Sequence, residues 1–253
     1  MKNKFFIYLF IIILFNQNLL FADIFNIESS EIKILEKGNI TQATNGVKIL
    51  SNDGIEIKAK DLIYDKQKSI LKIFGNVLIN DKKNNIISKG EEYIYFKNEE
   101  KILSIGKSKS NLKNIYFLEG DDLIYKRNLS EVYSDKKTKI EDSNNNTFFT
   151  EKFNFNLDTG LLKAKNLSLF DNKKNQYYLS FALVNLKNNK FLGSDISIDF
   201  DNTLFGNEKN EPRLKGNSLI SEENDTTIYK GSFTTCNQKD NKCPPWSIYA
   251  EEV

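Results

Sequence analysis

Short runs of alternating apolar and polar residues recur along the chain. Ile55, Ile57 and Ala59 alternate with Glu56 and Lys58, Leu71 and Ile73 flank Lys72, and Phe153, Phe155 and Leu157 alternate with Asn154 and Asn156. A period of two with polar partners predicts strands buried on one face. Turn-forming clusters separate these runs, among them Asn52-Asp53-Gly54, Asn80 to Asn85, Ser143 to Asn146 and Asp158-Thr159-Gly160. No segment sustains a 3.6-residue apolar period with caps at its ends, so the expected fold class is all-β.

Stacking the segments exposes a repeat. Ala59-Lys60-Asp61-Leu62-Ile63-Tyr64, Gly90-Glu91-Glu92-Tyr93-Ile94-Tyr95, Gly120-Asp121-Asp122-Leu123-Ile124-Tyr125 and Thr150-Glu151-Lys152-Phe153-Asn154-Phe155 align, with closing aromatics spaced by 31, 30 and 30 residues. Each unit continues through a turn into a second strand, as in Ser69 to Ile73 followed by Gly75-Asn76-Val77. Fixed spacing with two strands per unit predicts a solenoid-like stack of antiparallel strands, in which each unit buries its apolar face only against neighbours. The shared inner face is either a closed core or, where two walls splay, a path for hydrocarbon, at about 0.8 kcal/mol per buried methylene.

Composition removes most chemistry. The 253 residues include no histidine and two cysteines, which excludes a Ser-His-Asp triad, a Cys-His pair and a zinc site of the usual four Cys or His ligands. Neither GxxxxGK[ST] nor GxGxxG occurs, so no phosphate-cradling loop is expected, and no cofactor. The acidic doublets Glu91-Glu92, Glu99-Glu100 and Asp121-Asp122 are the residual carboxylate candidates, against solvated turns as the plainer explanation. No enzyme constellation is expected. Lys+Arg total 36 against 34 Asp+Glu, and the first 22 residues hold only Lys2 and Lys4, so the remainder balances at 34 against 34. Such a chain has no electrostatic footprint for nucleic acid. Asn occurs 33 times and Arg only at 127 and 213, a bias that looks like coding composition more than selection for a charged partner.

Residues 1–22 predict a secretory signal peptide: Lys2 and Lys4, an apolar run from Phe5 to Phe15, and Ala22 at the expected cleavage point. The run is about half of the ~20 residues a membrane-spanning helix needs. Residues 23–253 are then one exported β domain, in a compartment where thiols oxidise. Cys236 and Cys243 flank a polar loop of six residues, 237–242, between two predicted strands. A local disulfide fits that spacing if the strands are hairpin neighbours, and a pair of reduced thiols remains open. The earliest alternating run after the signal, Ile32-Lys33-Ile34-Leu35, is the expected edge strand, so Ile32 and Ile34 are candidates for docking a partner strand.

The repeated pattern of alternating strand, Ala/Gly-x-Asp/Glu-x-x-Tyr, turn and Gly-Asn-Val, fullest from Ile55 to Ile79, resembles the organic-solvent-tolerance (OstA-like) domain of lipopolysaccharide-transport proteins. Tyr229 to Cys236, then Cys243-Pro244-Pro245-Trp246-Ser247-Ile248-Tyr249-Ala250, with Asn210 to Gly216 upstream, is similar to the periplasmic N-terminal domain of the LptD family of outer-membrane assembly proteins in its alphaproteobacterial form. The resemblance implies an OstA-like β-jelly roll with a hydrophobic groove, incomplete at its C-terminus, with the outer-membrane barrel of the family absent from this chain. It implies lipopolysaccharide as cargo, acyl chains inside and sugars outside, at the periplasmic side of the outer membrane. Implied partners are an LptA-type bridge protein and, only with the missing C-terminal part, an LptE-type lipoprotein and the barrel. Groove candidates are Ile55, Ile57, Leu71, Ile73, Val77, Ile79, Leu103, Ile105, Leu123, Tyr125, Phe153, Phe155, Leu157, Leu167, Leu169, Phe181 and Leu183. A one-residue register error would turn any of these strands over. The family also implies disulfides between this domain and the barrel. A standalone bridge protein of LptA type, or a structural β-solenoid without lipid, would share the repeat.

Overall fold

The computed structural model describes residues 25–206, 209–222, 225–237 and 246–253. The segment expected to be a signal peptide, and Cys243 with it, lie outside the described residues. Among the described residues the protein is all-β, with helix confined to four single 3-10 turns. The strands are β1 (Phe25–Leu35), β2 (Ile40–Ser51), β3 (Ile55–Ala59), β4 (Asp61–Asp65), β5 (Ile70–Asp81), β6 (Ile86–Phe96), β7 (Lys101–Leu112), β8 (Tyr116–Asp121), β9 (Ile124–Lys126), β10 (Glu131–Ser134), β11 (Thr138–Asp142), β12 (Thr147–Thr150), β13 (Lys152–Asn156), β14 (Leu161–Phe170), β15 (Gln176–Asn185), β16 (Lys190–Asp199), β17 (Arg213–Glu222), β18 (Asp225–Thr234) and β19 (Ile248–Glu252).

All nineteen form one antiparallel sheet in chain order. Four pairs, β3 with β4, β8 with β9, β10 with β11 and β12 with β13, each share a single rung, so the sheet has fifteen rungs. Every rung bends near its middle. β2 shows how: its second half pairs with β3 and its first half with β4. The bend folds the sheet into two facing walls. One, wall A, carries β3, β8, β11 and β12; the other, wall B, carries β4, β9, β10 and β13. The two walls are joined along the line of corners and meet again along a seam where the turns between rungs lie.

The corners recur at half the thirty-residue repeat and account for its motif. Asn45 and Gly46, Gly75 and Asn76, Gly106, Asp122, Asn166, Asp195 and Lys230 all sit at corners with positive φ. The acidic residue of each unit bonds the corner of a neighbouring rung: Asp61 accepts from the Asn45 N–H, Glu91 from the Asn76 N–H, Asp122 from the Gly106 N–H, and Glu151 from the Asn166 side chain. Glu91 and Asp122, one member of each of those acidic doublets, thus serve as corner acceptors. Gly75 has φ +76°, and a Cβ there would lie 2.8 Å from Cβ of Lys60. Gly75→Ala is expected to lower stability by about 1–2 kcal/mol for the left-handed backbone alone, read as a fall in the urea midpoint; an unchanged midpoint would mean this corner relaxes freely.

The closing aromatics Tyr64, Tyr95, Tyr125 and Phe155 are all buried, at 4%, 0%, 8% and 0% exposure, on the inner face of wall B next to the seam. One core runs the length of the fold, from Phe25 to Ile228. Among the described residues, every buried side-chain nitrogen and oxygen has a hydrogen-bond partner, as a packed interior requires.

The walls are staggered. Across the seam, the β2–β3 turn meets the β6–β7 turn (Asp53 with Lys97), the β5–β6 side meets the β9–β10 turn (Asp81 with Arg127), and the β7–β8 turn meets the β13–β14 turn (Lys113 with Asp158). Each wall A turn therefore faces a wall B turn several rungs later in the chain. Among the described residues, the stagger leaves the first rungs of wall B without a facing wall. Ile32 and Ile34 pair with Ala43 and Thr41, share their inward parity, and are nonetheless 45% and 69% exposed. In wall A, Ile248 of the last described strand pairs with the inward Phe233 and is 61% exposed.

Candidate functional site

The candidate site is the space between the walls and the seam that bounds it. Thirteen of the seventeen groove candidates face this space. Ile55, Ile57, Leu71, Ile73, Val77, Ile79, Leu123, Tyr125, Phe153, Phe155, Leu157 and Leu167 are buried in the core, and Leu169 packs against it half-buried. The other four require correction. Leu103 and Ile105 lie on the outer face of β7, whose inward positions are Ile102 and Ser104. Phe181 and Leu183 lie on the outer face of β15, whose inward positions are Ala182 and Val184. Both strands carry apolar residues on both parities, so alternation alone does not fix the face. Near the corner the walls approach closely and select the small residue, Ser104 or Ala182, for the inside.

The interior is not uniformly apolar. Ser88 Oγ lies 2.7 Å from the Tyr93 hydroxyl and 2.8 Å from Ser110 Oγ. The Ser108 hydroxyl donates to Ser104 Oγ at 2.9 Å, which in turn accepts from the Leu123 N–H. This polar stripe crosses the core between the apolar rungs around Ile57 and Ile73 and those around Phe153 and Phe155. A cavity of about 20 Å³, lined by Ile79, Asp81, Ser88, Tyr93, Ser110 and Tyr125 among others, adjoins it. It is large enough for roughly one water.

The seam of the N-terminal half is closed by ions. Arg127, 3% exposed in its side chain, donates from Nε to Asp81 at 2.7 Å and from Nη1 to Asp53 at 2.8 Å and Glu100 at 3.0 Å. Nη1 also reaches the Tyr95 hydroxyl oxygen at 3.3 Å, and the Tyr125 hydroxyl donates to Asp81 at 3.4 Å. Lys97 bridges Asp53 and Glu100 at the rim. Farther along, Lys113 bonds Asp158 at 2.9 Å across the same seam. Burial alone pushes the Asp53 carboxyl up, but hydrogen bonds from Lys97, Ser51 and Arg127 outweigh it and hold Asp53 well below the ordinary carboxylate range. Burial pushes Arg127 down, and its bonds to Asp81 and Asp53 more than reverse that. Burial first, and the Asp81 carboxylate second, push the Tyr125 hydroxyl up.

Sequence patterns missed this cluster, although one signal was present. In a chain with 34 lysines and two arginines, arginine stands where one side chain must serve several acceptors. A planar fork of five N–H donors does this and an ammonium does not. Arg213 behaves likewise, bonding the carbonyls of Glu211 and Cys236.

β1, which holds Ile32 and Ile34, pairs with β2, and its other edge has no strand among the described residues. Cys236 is half-buried beside Arg213; the disulfide expected with Cys243 falls on a residue outside the described ones. Among the described residues no group of three or more His, Cys, Asp or Glu is placed to hold a metal ion.

The geometry defines an all-β folded sheet enclosing an apolar interior between two staggered walls. No protein-family model and no curated protein matches the chain. Among solved structures, it is similar to LptH of Pseudomonas aeruginosa, the LptA-homologous periplasmic component of a lipopolysaccharide transport device, with 14% identity over 40% of this chain and 75% of that one and a TM-score of 0.36.

Proposed function

We propose that this chain carries lipopolysaccharide in the periplasm at the outer membrane, as a periplasmic domain of LptD type that holds acyl chains between its walls and passes them toward a barrel. The observation that carries this reading is the uncovered inner face of wall B at the β1 end of the stack, at Ile32 and Ile34. A closed structural core has no use for apolar inward side chains left in water there, whereas a conduit continues through them. The edge of β1 that has no partner strand among the described residues offers an LptA-type bridge protein a strand to extend. The motifs from Tyr229 to Cys236 and from Trp246 to Ala250 favour the LptD type over a standalone bridge protein.

A structural solenoid without cargo is the second reading, favoured by the complete burial of Phe155 and its neighbours. A photoreactive residue at Phe155 separates the two. Irradiation in cells should capture lipopolysaccharide at Phe155 and not at the outward neighbour Asn154. Equal absence of capture at both positions would leave the solenoid.

A further inference from the structure

Along the N-terminal half of the seam, inward side chains of both walls are buried: Ile79, Ile86, Leu112, Tyr95 and Tyr125 are all at most 8% exposed. Beyond Asp158 the same rows keep Val184 and Ile198 buried, but Leu169, Tyr177 and Phe191 in them are only partly buried. The seam is thus shut at all of these rungs in one half and at only some rungs in the other, which is the looser half. The boundary coincides with the cross-seam ion pairs of Arg127 and Lys113.

We propose that Arg127, Asp81, Asp53, Glu100 and Lys97 form a latch that shuts the N-terminal seam and must release before a lipid with an external head group can travel along that half. The proposal rests on the lipid-carrying reading above. An amphiphile whose chains lie between the walls and whose sugars stay in water has to keep a connection through the seam at every rung it passes. Arg127 and its carboxylates occupy that gap. Its inner pair, Arg127 with Asp81, is buried and its rim members are partly exposed, with side chains 13% exposed at Lys97, 28% at Asp53 and 35% at Glu100. The rim therefore faces water and is the part that can loosen first. Polar residues beneath the latch, Ser88, Ser110 and the Tyr93 hydroxyl, line the cavity there. Hydrocarbon would be poorly held at that level, as suits a gate more than a resting site.

The test uses the full chain with Cys236→Ser and Cys243→Ser, spin-labelled at cysteines replacing Lys83 and Asn128, in the two turns that the Asp81–Arg127 pair brings together across the latched seam, or Lys173 and Glu222, in turns that the same stagger sets opposite each other in the looser half. Arg127→Met with Asp81→Asn removes the inner pair without leaving a buried charge alone. This variant should shift the latch-pair separation to longer, broader distances and leave the other pair unchanged. Lys97→Met, which removes only a rim cation, should shift it less in the same direction and serves if the double variant does not fold. An unchanged latch-pair separation in a folded variant overturns the latch. In parallel, purified lipopolysaccharide micelles are offered to chains carrying a photoreactive residue at Phe191 or Ile79. Capture at Phe191 in both backgrounds, with capture at Ile79 gained only when the latch is removed, supports the gate; equal capture at Ile79 with the latch intact overturns it. No capture at either position overturns the lipid reading and with it the gating role, while the spin-label distances still decide whether the cluster holds the seam shut.

Discussion

Phe155→Ala should lower the free energy of unfolding by about 3–5 kcal/mol, the range for deleting a fully buried aromatic side chain. Phe155 is 0% exposed, and its ring packs edge-on against Tyr116 with centroids 4.8 Å apart, so the pair joins wall B to wall A directly. Such edge-to-face pairs contribute about 0.5–1.5 kcal/mol beyond the area they bury. Phe155→Asp should be worse, because it adds an unpaired carboxylate to the cavity it leaves. Asn154→Asp, one residue away on the outer face, should change stability within about 0.5 kcal/mol, as surface substitutions do. Urea titration of the three variants checks the order. A Phe155→Ala protein with the parent's midpoint would show that the walls do not pack on each other there. Lipid capture by Phe155→Asp is interpretable only beside that measurement, since loss of capture in an unfolded variant carries no information about the path.

The difference between Asn154 and Phe155 was legible in the sequence, as was the strand content, the thirty-residue unit and its aromatic closure. Those features are local: alternation fixes a face wherever polar and apolar residues keep to separate parities, and Lys152 to Asn156 does so. Where both parities are apolar, as in Lys101 to Ile105 or Phe181 to Val184, the inward face is chosen by the facing wall and by the distance to the corner. Neither is written in the strand itself. The same limit hid the latch. Arg127 and Asp53 are 74 residues apart, and their contact exists only because the walls are staggered. A register without stagger would bring Asp53 against a much earlier turn. The acidic residues of the repeat were visible but unassigned, because a corner acceptor and a solvated turn residue look alike until the bend of the rung is known.

Arg127→Met alone should destabilise the fold by about 3–5 kcal/mol, the usual consequence of removing one partner from a buried ion pair. The loss comes mainly from what stays behind. Asp81, with its side chain 1% exposed, would keep a buried carboxylate facing only the Tyr125 hydroxyl and Asn84. Adding Asp81→Asn should therefore restore part of the stability, although it deletes a second polar contact. A double-mutant cycle in urea measures that recovery. If the double variant is as unstable as the sum of the two single ones, the pair is not energetically coupled. The pH profile gives an independent check with a defined sign. Asp53 is held below its ordinary value of 3.8, so its contribution is present above that pH and is lost as pH falls through the lower folded value. Lys97 is raised above its ordinary 10.5, so its contribution is full below that pH and is lost as pH rises. Both slopes should flatten in the Lys97→Met protein, because removing the ammonium also removes the leading hydrogen bond that depresses Asp53. A parent-like acid slope in that variant would assign the depression to Ser51 and Arg127 instead.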